Sequence, residues 1–261
     1  MKQQPDTARA SRVFIAQVPS ALRTWWPVLL FLPARGVLSL LSQSITCLIL
    51  AASGYPNPWE ASYGWWTVYG TFTDVCCLIL LVVLLRREGL RVRDAFGVTR
   101  ANRWQQLRSA PIYLVAVLPA VAASSLITLP FYGPGAVPPQ VASIHLPPWA
   151  AAYSMAIWPI VWAITEELVY LGFILPRLEI AFGNRWVAAA VTVFFWTGQH
   201  LVIPFIPDPS YLVSRWLGAL MITGAMTVTF LLLRRRLLAA TIVHWLSDAA
   251  TAAAAVFFLA R

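Results

Sequence analysis

The sequence predicts an all-α, polytopic transmembrane helical bundle of about seven spans (six to eight), and three observations carry that expectation. Composition is the first: 59% of the residues are hydrophobic and 11% charged, with a mean hydropathy of +0.70. An average soluble domain carries about 25% charged residues. The second is a succession of apolar runs, each near the roughly 20 residues a helix needs to cross the hydrocarbon core. The third is the arginines, which gather in alternate connections between those runs.

Residues 1–25 are polar and basic, with Val13, Phe14, Ile15, Val18 and Leu22 interspersed, and are expected to form an interfacial helix or a tail. A single transmembrane domain then covers 26–261. Its first span occupies 26–53, with Pro33-Ala34-Arg35 as an interruption that leaves 36–53 as the core. The second covers 65–85 and contains Asp74, read as structural or interfacial because no patterned partner accompanies it. Spans at 111–131, 149–175, 186–206, 212–233 and 237–260 follow. There is no internal repeat of the kind two-fold repeated transporters carry.

Orientation follows from the arginines. Arg86 to Arg108, Arg177 with Arg185, and Arg234 to Arg236 fall on one side, whereas the loops at 54–64, 132–148 and 207–211 hold no Lys or Arg. The positive-inside rule then puts the N-terminus in the cytoplasm and the C-terminus outside, with Arg261 a weak exception. The net charge of +9 belongs to orientation signals and anionic headgroups, which excludes nucleic acid as a partner. Membrane lipid and a membrane-borne peptide or protein are the expected partners, and a bacterial plasma membrane is the expected location. Cys47, Cys76 and Cys77 all lie within spans without a ligand pattern and read as packing residues. No cleavable signal is expected at Met1–Arg23, which lacks a short apolar core.

The chemistry concentrates in three segments. Trp162-Ala-Ile-Thr-Glu166-Glu167-Leu-Val-Tyr170-Leu171-Gly172 places two adjacent carboxylates in an apolar run. Ionisable groups at such depth are costly, and they face a bundle interior, take partners and mark function. Trp196-Thr-Gly-Gln-His200 and His244-Trp-Leu-Ser-Asp248 supply partners. At about 1.5 Å per residue, Glu166, His200, His244 and Asp248 all fall near the middle of the bilayer. His244 and Asp248 are four apart and share a helix face, as do Trp196 and His200, where the indole is expected to orient the imidazole. Glu166 and Glu167 point about 100° apart, so one faces a cavity and the other a neighbouring helix. Trp158, Trp162 and Trp245 read as packing or cavity walls.

A glutamate and a histidine can hold and deprotonate a water that attacks an amide, while a histidine with a short polar side chain stabilises the oxyanion. The same residue types suit a divalent metal such as zinc, held by Glu166, His200 and His244. Both readings are peptide hydrolysis within a membrane, and no other cofactor is expected.

At these residues the chain resembles the CPBP family, the CAAX protease and bacteriocin-processing (ABI-type) intramembrane proteases. The family's motifs are Glu-Glu-x-x-x-Arg, Phe-x-x-x-His and His-x-x-x-Asn/Asp. Order and spacing match Glu166-Glu167, Trp196 to His200 and His244 to Asp248, within a catalytic core at 149–255, and Phe96-Gly-Val-Thr-Arg100 resembles a short element of the family. The resemblance implies the CAAX prenyl endopeptidase fold, with Glu166 as water-activating base and His200 as its partner. It also implies His244 and Asp248 as the oxyanion-stabilising pair and Glu167 as a supporting carboxylate. Members have been described as glutamate-based and as metal-dependent. Two departures stand out: Trp196 replaces Phe, an aromatic for an aromatic, and Leu171 replaces the arginine expected to pair with Glu167. Arg177, ten residues beyond Glu167, is a poor substitute. The alternatives to an intramembrane endopeptidase are a catalytically inactive membrane scaffold, immunity or regulatory protein that keeps the fold, and a transporter.

Overall fold

A computed structural model describes residues 26–259, with side chains from 27 to 253. The N-terminal segment 1–25 lies outside the described residues. What is described is almost entirely helical, without strands among the described residues, and five helices are long and apolar enough to cross a membrane. The principal helices are α1 (Trp26–Ala52), α2 (Trp66–Arg87), α3 (Arg103–Ile127), α4 (Pro148–Ala156) and α5 (Trp158–Glu166), followed by α6 (Leu175–Phe182), α7 (Arg185–Gln199), α8 (Pro209–Leu232) and α9 (Leu237–Leu259). Outward faces are apolar (Leu48, Val115 and Phe194 are among the exposed residues), which in a membrane protein is the lipid-facing surface.

Three spans differ from their expected form, each for a proline-related reason. Helix α1 runs unbroken through Pro33 instead of starting at residue 36. A proline is tolerated in a membrane helix whose freed carbonyl is re-satisfied locally, and the turn it occupies carries Arg35 into the bundle interior. The fourth span is segmented. Pro159 cannot donate to the preceding turn and disfavours the α conformation at its predecessor, so α4 ends at Ala156 and α5 restarts at Trp158. From Glu167 to Ile174 the same span winds in wide turns that close i to i+5 before α6 resumes. Pro176, near the start of α6, has no N–H for the carbonyl of Gly172, and a widened stretch absorbs the lost bond. The fifth span is also shorter than expected: α7 ends at Gln199, and residues 200–208 return as turns containing Pro204 and Pro207.

Helix ends follow their sequence signals. Asn184 caps α7 by accepting from the backbone N–H groups of Trp186 and Val187, and Asp208 caps α8 by accepting from that of Tyr211. Gly183 closes α6 in the left-handed region at φ +63°. The Phe96-Gly-Val-Thr-Arg100 element starts at the last residue of a short helix (Val92–Phe96) and runs on as a turn from left-handed Gly97, whose carbonyl accepts from the Asn102 amide.

Candidate active site

The wide turns after Glu166 set the directions of the two glutamates. Both are fully buried. Glu166 turns toward α1 and α7, Glu167 toward α9. A cavity of about 170 Å³ opens beside them, lined by Glu166, Trp196, His200, His244 and Asp248 among others. Four of the five residues singled out from the sequence therefore share one cavity wall. Glu167 is not on it.

Glu166 is held by three N–H donors. Arg35 Nη1 of α1 donates to Oε1 at 2.5 Å, the Gln199 amide donates to Oε1 at 2.9 Å, and the Trp196 indole donates to Oε2 at 2.5 Å. An ionised carboxylate has about four acceptor positions, so one remains, on Oε2 at the cavity. Arg35 also bonds Asp74 of α2 through Nε, at 2.8 Å, and its guanidinium lies over the Trp162 ring, 4.1 Å from the centroid. Arg35 thus stands between two buried carboxylates and under an aromatic face. Trp162 reaches this place because Gly70 of α2 has no Cβ, which would lie 2.8 Å from the indole ring.

Arg35 is the functional residue that sequence reasoning missed, and the role given to Asp74 changes with it. Asp74 has a partner, and that partner is shared with Glu166. The signal was present: a lone arginine and a lone aspartate, each within an apolar run, imply a pair. Reading Pro33-Ala34-Arg35 as a break hid it. Arg177, as expected, is no substitute. It bonds the Phe173 carbonyl and pairs with Glu88, the residue that follows α2.

Trp196 needs a correction too. Its indole N–H goes to Glu166, and its ring stacks on Tyr170 at 5.3 Å with 7° between planes. The Trp196 backbone carbonyl, rather than the indole, orients His200, at 2.8 Å from Nδ1. A carbonyl only accepts, so Nδ1 carries the proton and Nε2 faces away from that bond. Trp in place of Phe therefore adds a donor to the carboxylate, a chemical change and not only one of size. No His200 nitrogen lies within 4.0 Å of a carboxylate among the described residues, so His200 shares the cavity with Glu166 without touching it.

Three carboxylates surround His244. Nδ1 donates to Glu167 at 3.0 Å; Nε2 lies 3.4 Å from Asp248 Oδ2 and 3.9 Å from Glu166 Oε2. Glu167 consequently has the partner that the absence of an arginine at 171 denied it. Leu171 is buried among apolar side chains of the core. Asp248 Oδ2 has no hydrogen-bond partner among the described residues, and Asp248 lines the cavity. Arg215 of α8, also on the lining, donates to the His200 carbonyl at 3.3 Å.

The zinc set Glu166, His200 and His244 does not fit an ion. Among the described residues no three His, Cys, Asp or Glu side chains are grouped for one. Glu166 gives three of its acceptor positions to N–H donors, one of them a guanidinium, and a dication there would face Arg35 directly.

Fold and site together define a polytopic helical membrane protein with a buried carboxylate–histidine site at a cavity. Residues 147–250 match the family model described as type II CAAX prenyl endopeptidase Rce1-like, and this stretch, which holds all five candidate residues, is Rce1-like. Arg35 and Asp74 lie outside the matched stretch. No curated protein and no solved structure gives a match.

Proposed function

We propose that this chain is an intramembrane endopeptidase that uses Glu166 to activate water. The observation that supports it most is the meeting of Glu166, His200, His244 and Asp248, from three helical runs, around a single cavity inside a membrane bundle. The remaining acceptor position on Glu166 Oε2 takes a hydrogen of the water, and His200 Nε2 positions the water from across the cavity. The water oxygen adds to the amide carbon as its proton passes to Glu166, and the carbonyl π electrons move to oxygen. Protonated His244, held at Nδ1 by Glu167 and with Asp248 beside its ring, donates from Nε2 to that oxyanion. Collapse breaks the C–N bond, and Glu166 returns the proton to the departing amine.

Leu171 is the residue that favours the scaffold reading, and Arg35 answers it: the missing cation arrives from α1 and pairs with Glu166 instead of Glu167. Prenylated peptides are what the matched family is named for, and the cavity lining mixes apolar side chains such as Val117, Ile222 and Met226 with polar ones. Transport has no repeat to support it.

Peptide termini compared between membranes carrying the native chain and membranes carrying Glu166→Ala test the proposal. Termini that disappear with Glu166→Ala and with His200→Ala, at unchanged abundance of the chain, are the expected result. Identical termini in all three would contradict hydrolysis.

A further inference from the structure

The cavity has a direction. Its floor is Glu166 at the end of α5, Met226 in the last third of α8 and His244 in the first half of α9. Its mouth is Thr128 at the end of α3, Pro138 and Gln140 of the following loop, and Ser214 in the first turns of α8. Every mouth residue belongs to the side that carries the loops 132–148 and 207–211, which hold no Lys or Arg. No lining residue comes from the arginine-bearing connections at 86–108, 177–185 or 234–236. On that inner side the floor is sealed: Leu168, Val169, Phe173 and Ile174 are buried beneath the glutamates, and Leu237 packs 3.2 Å from where a Gly172 Cβ would stand. The salt bridges Arg177–Glu88 and Arg235–Glu179 tie the inner ends together.

We infer that the cavity is filled from the extracytoplasmic face, and that its occupant is an extended peptide segment emerging from the membrane on that side. Arginine asymmetry supplies the orientation, and the lining supplies the chemistry. Trp66, Trp158 and Trp162 form an aromatic cluster on the lining, and Ser124, Thr128 and Gln140, the last hydrogen-bonded to the Trp66 indole through its carbonyl, make part of the rim polar. A wholly apolar membrane helix would leave that rim unpaired, at a cost buried polar groups do not tolerate well. An extended segment, with its own N–H and C=O groups free, pairs with the rim and presents an amide to Glu166. The inference rests on the endopeptidase proposal only for what happens to the segment, not for the side from which it enters.

Single cysteines and a membrane-impermeant maleimide applied to intact cells decide the matter. The native chain, with Cys47, Cys76 and Cys77 inside α1 and α2, is the control. Ala136→Cys in the loop before α4 and Thr128→Cys at the mouth are expected to label before permeabilisation, and Ala101→Cys in the arginine-bearing connection only after it. Labelling of Ala101→Cys alone in intact cells overturns the inference. So does Glu166-dependent cleavage confined to cytoplasmic segments, even though that result would uphold the protease. Outer labelling without any Glu166-dependent termini would leave the direction of entry standing and sink the hydrolysis.

Discussion

A single arginine far from the matched stretch completes the site. Arg35 sits between Asp74 and Glu166, and all three are buried. Removing one member of such a buried pair costs about 3–5 kcal/mol, because a charge is left uncompensated. Arg35→Met should therefore lower the thermal midpoint of the detergent-solubilised protein markedly; an unchanged midpoint would mean the network contributes nothing. Trp196→Phe restores the family's residue yet removes the donor to Glu166 Oε2. A hydrogen bond to a charged group contributes about 1.5–3 kcal/mol, so this variant should melt earlier and cleave less, despite being closer to the motif. Leu171→Arg should also destabilise, since the site buries Leu171 in apolar surroundings and His244 already holds Glu167. A gain of cleavage in Leu171→Arg would say instead that the natural chain is inactive for want of that residue.

Helix-scale features explain what was legible from the sequence and what was not. Glu166, His200, His244 and Asp248 could be brought together on paper because spacing along regular helices fixes depth and face. The meeting of His244 with Asp248 needed only their four-residue separation. Glu167 and His244 could not be paired that way, because the helix widens at Glu167 and the regular 100° step no longer applies. Arg35 was hidden by a proline taken as a break, and a local rule about Pro33 concealed a long-range pairing across 131 positions. If Pro176 is what slackens the fourth span, Pro176→Ala should let it wind regularly and turn Glu167 from His244. Cleavage should then fall while the amount of chain in the membrane does not; native cleavage in that variant would assign the wide turns another cause.

Across the whole molecule, the stretch 147–250 brings the motifs and α1 with α2 bring the counter-charge. The fold class was readable because composition and run length leave few choices for a chain in lipid. Partner choice across the bundle was not readable, since every buried ionisable group had several candidate mates at similar depth. On the proposed function, Glu166, held by Arg35 from outside the motif stretch, hydrolyses peptides without an arginine at position 171. The most direct test measures membrane peptide termini for the native chain, Glu166→Ala and Arg35→Met at matched abundance. The termini lost in Glu166→Ala should also be lost in Arg35→Met. Native levels of those termini in Arg35→Met would contradict it.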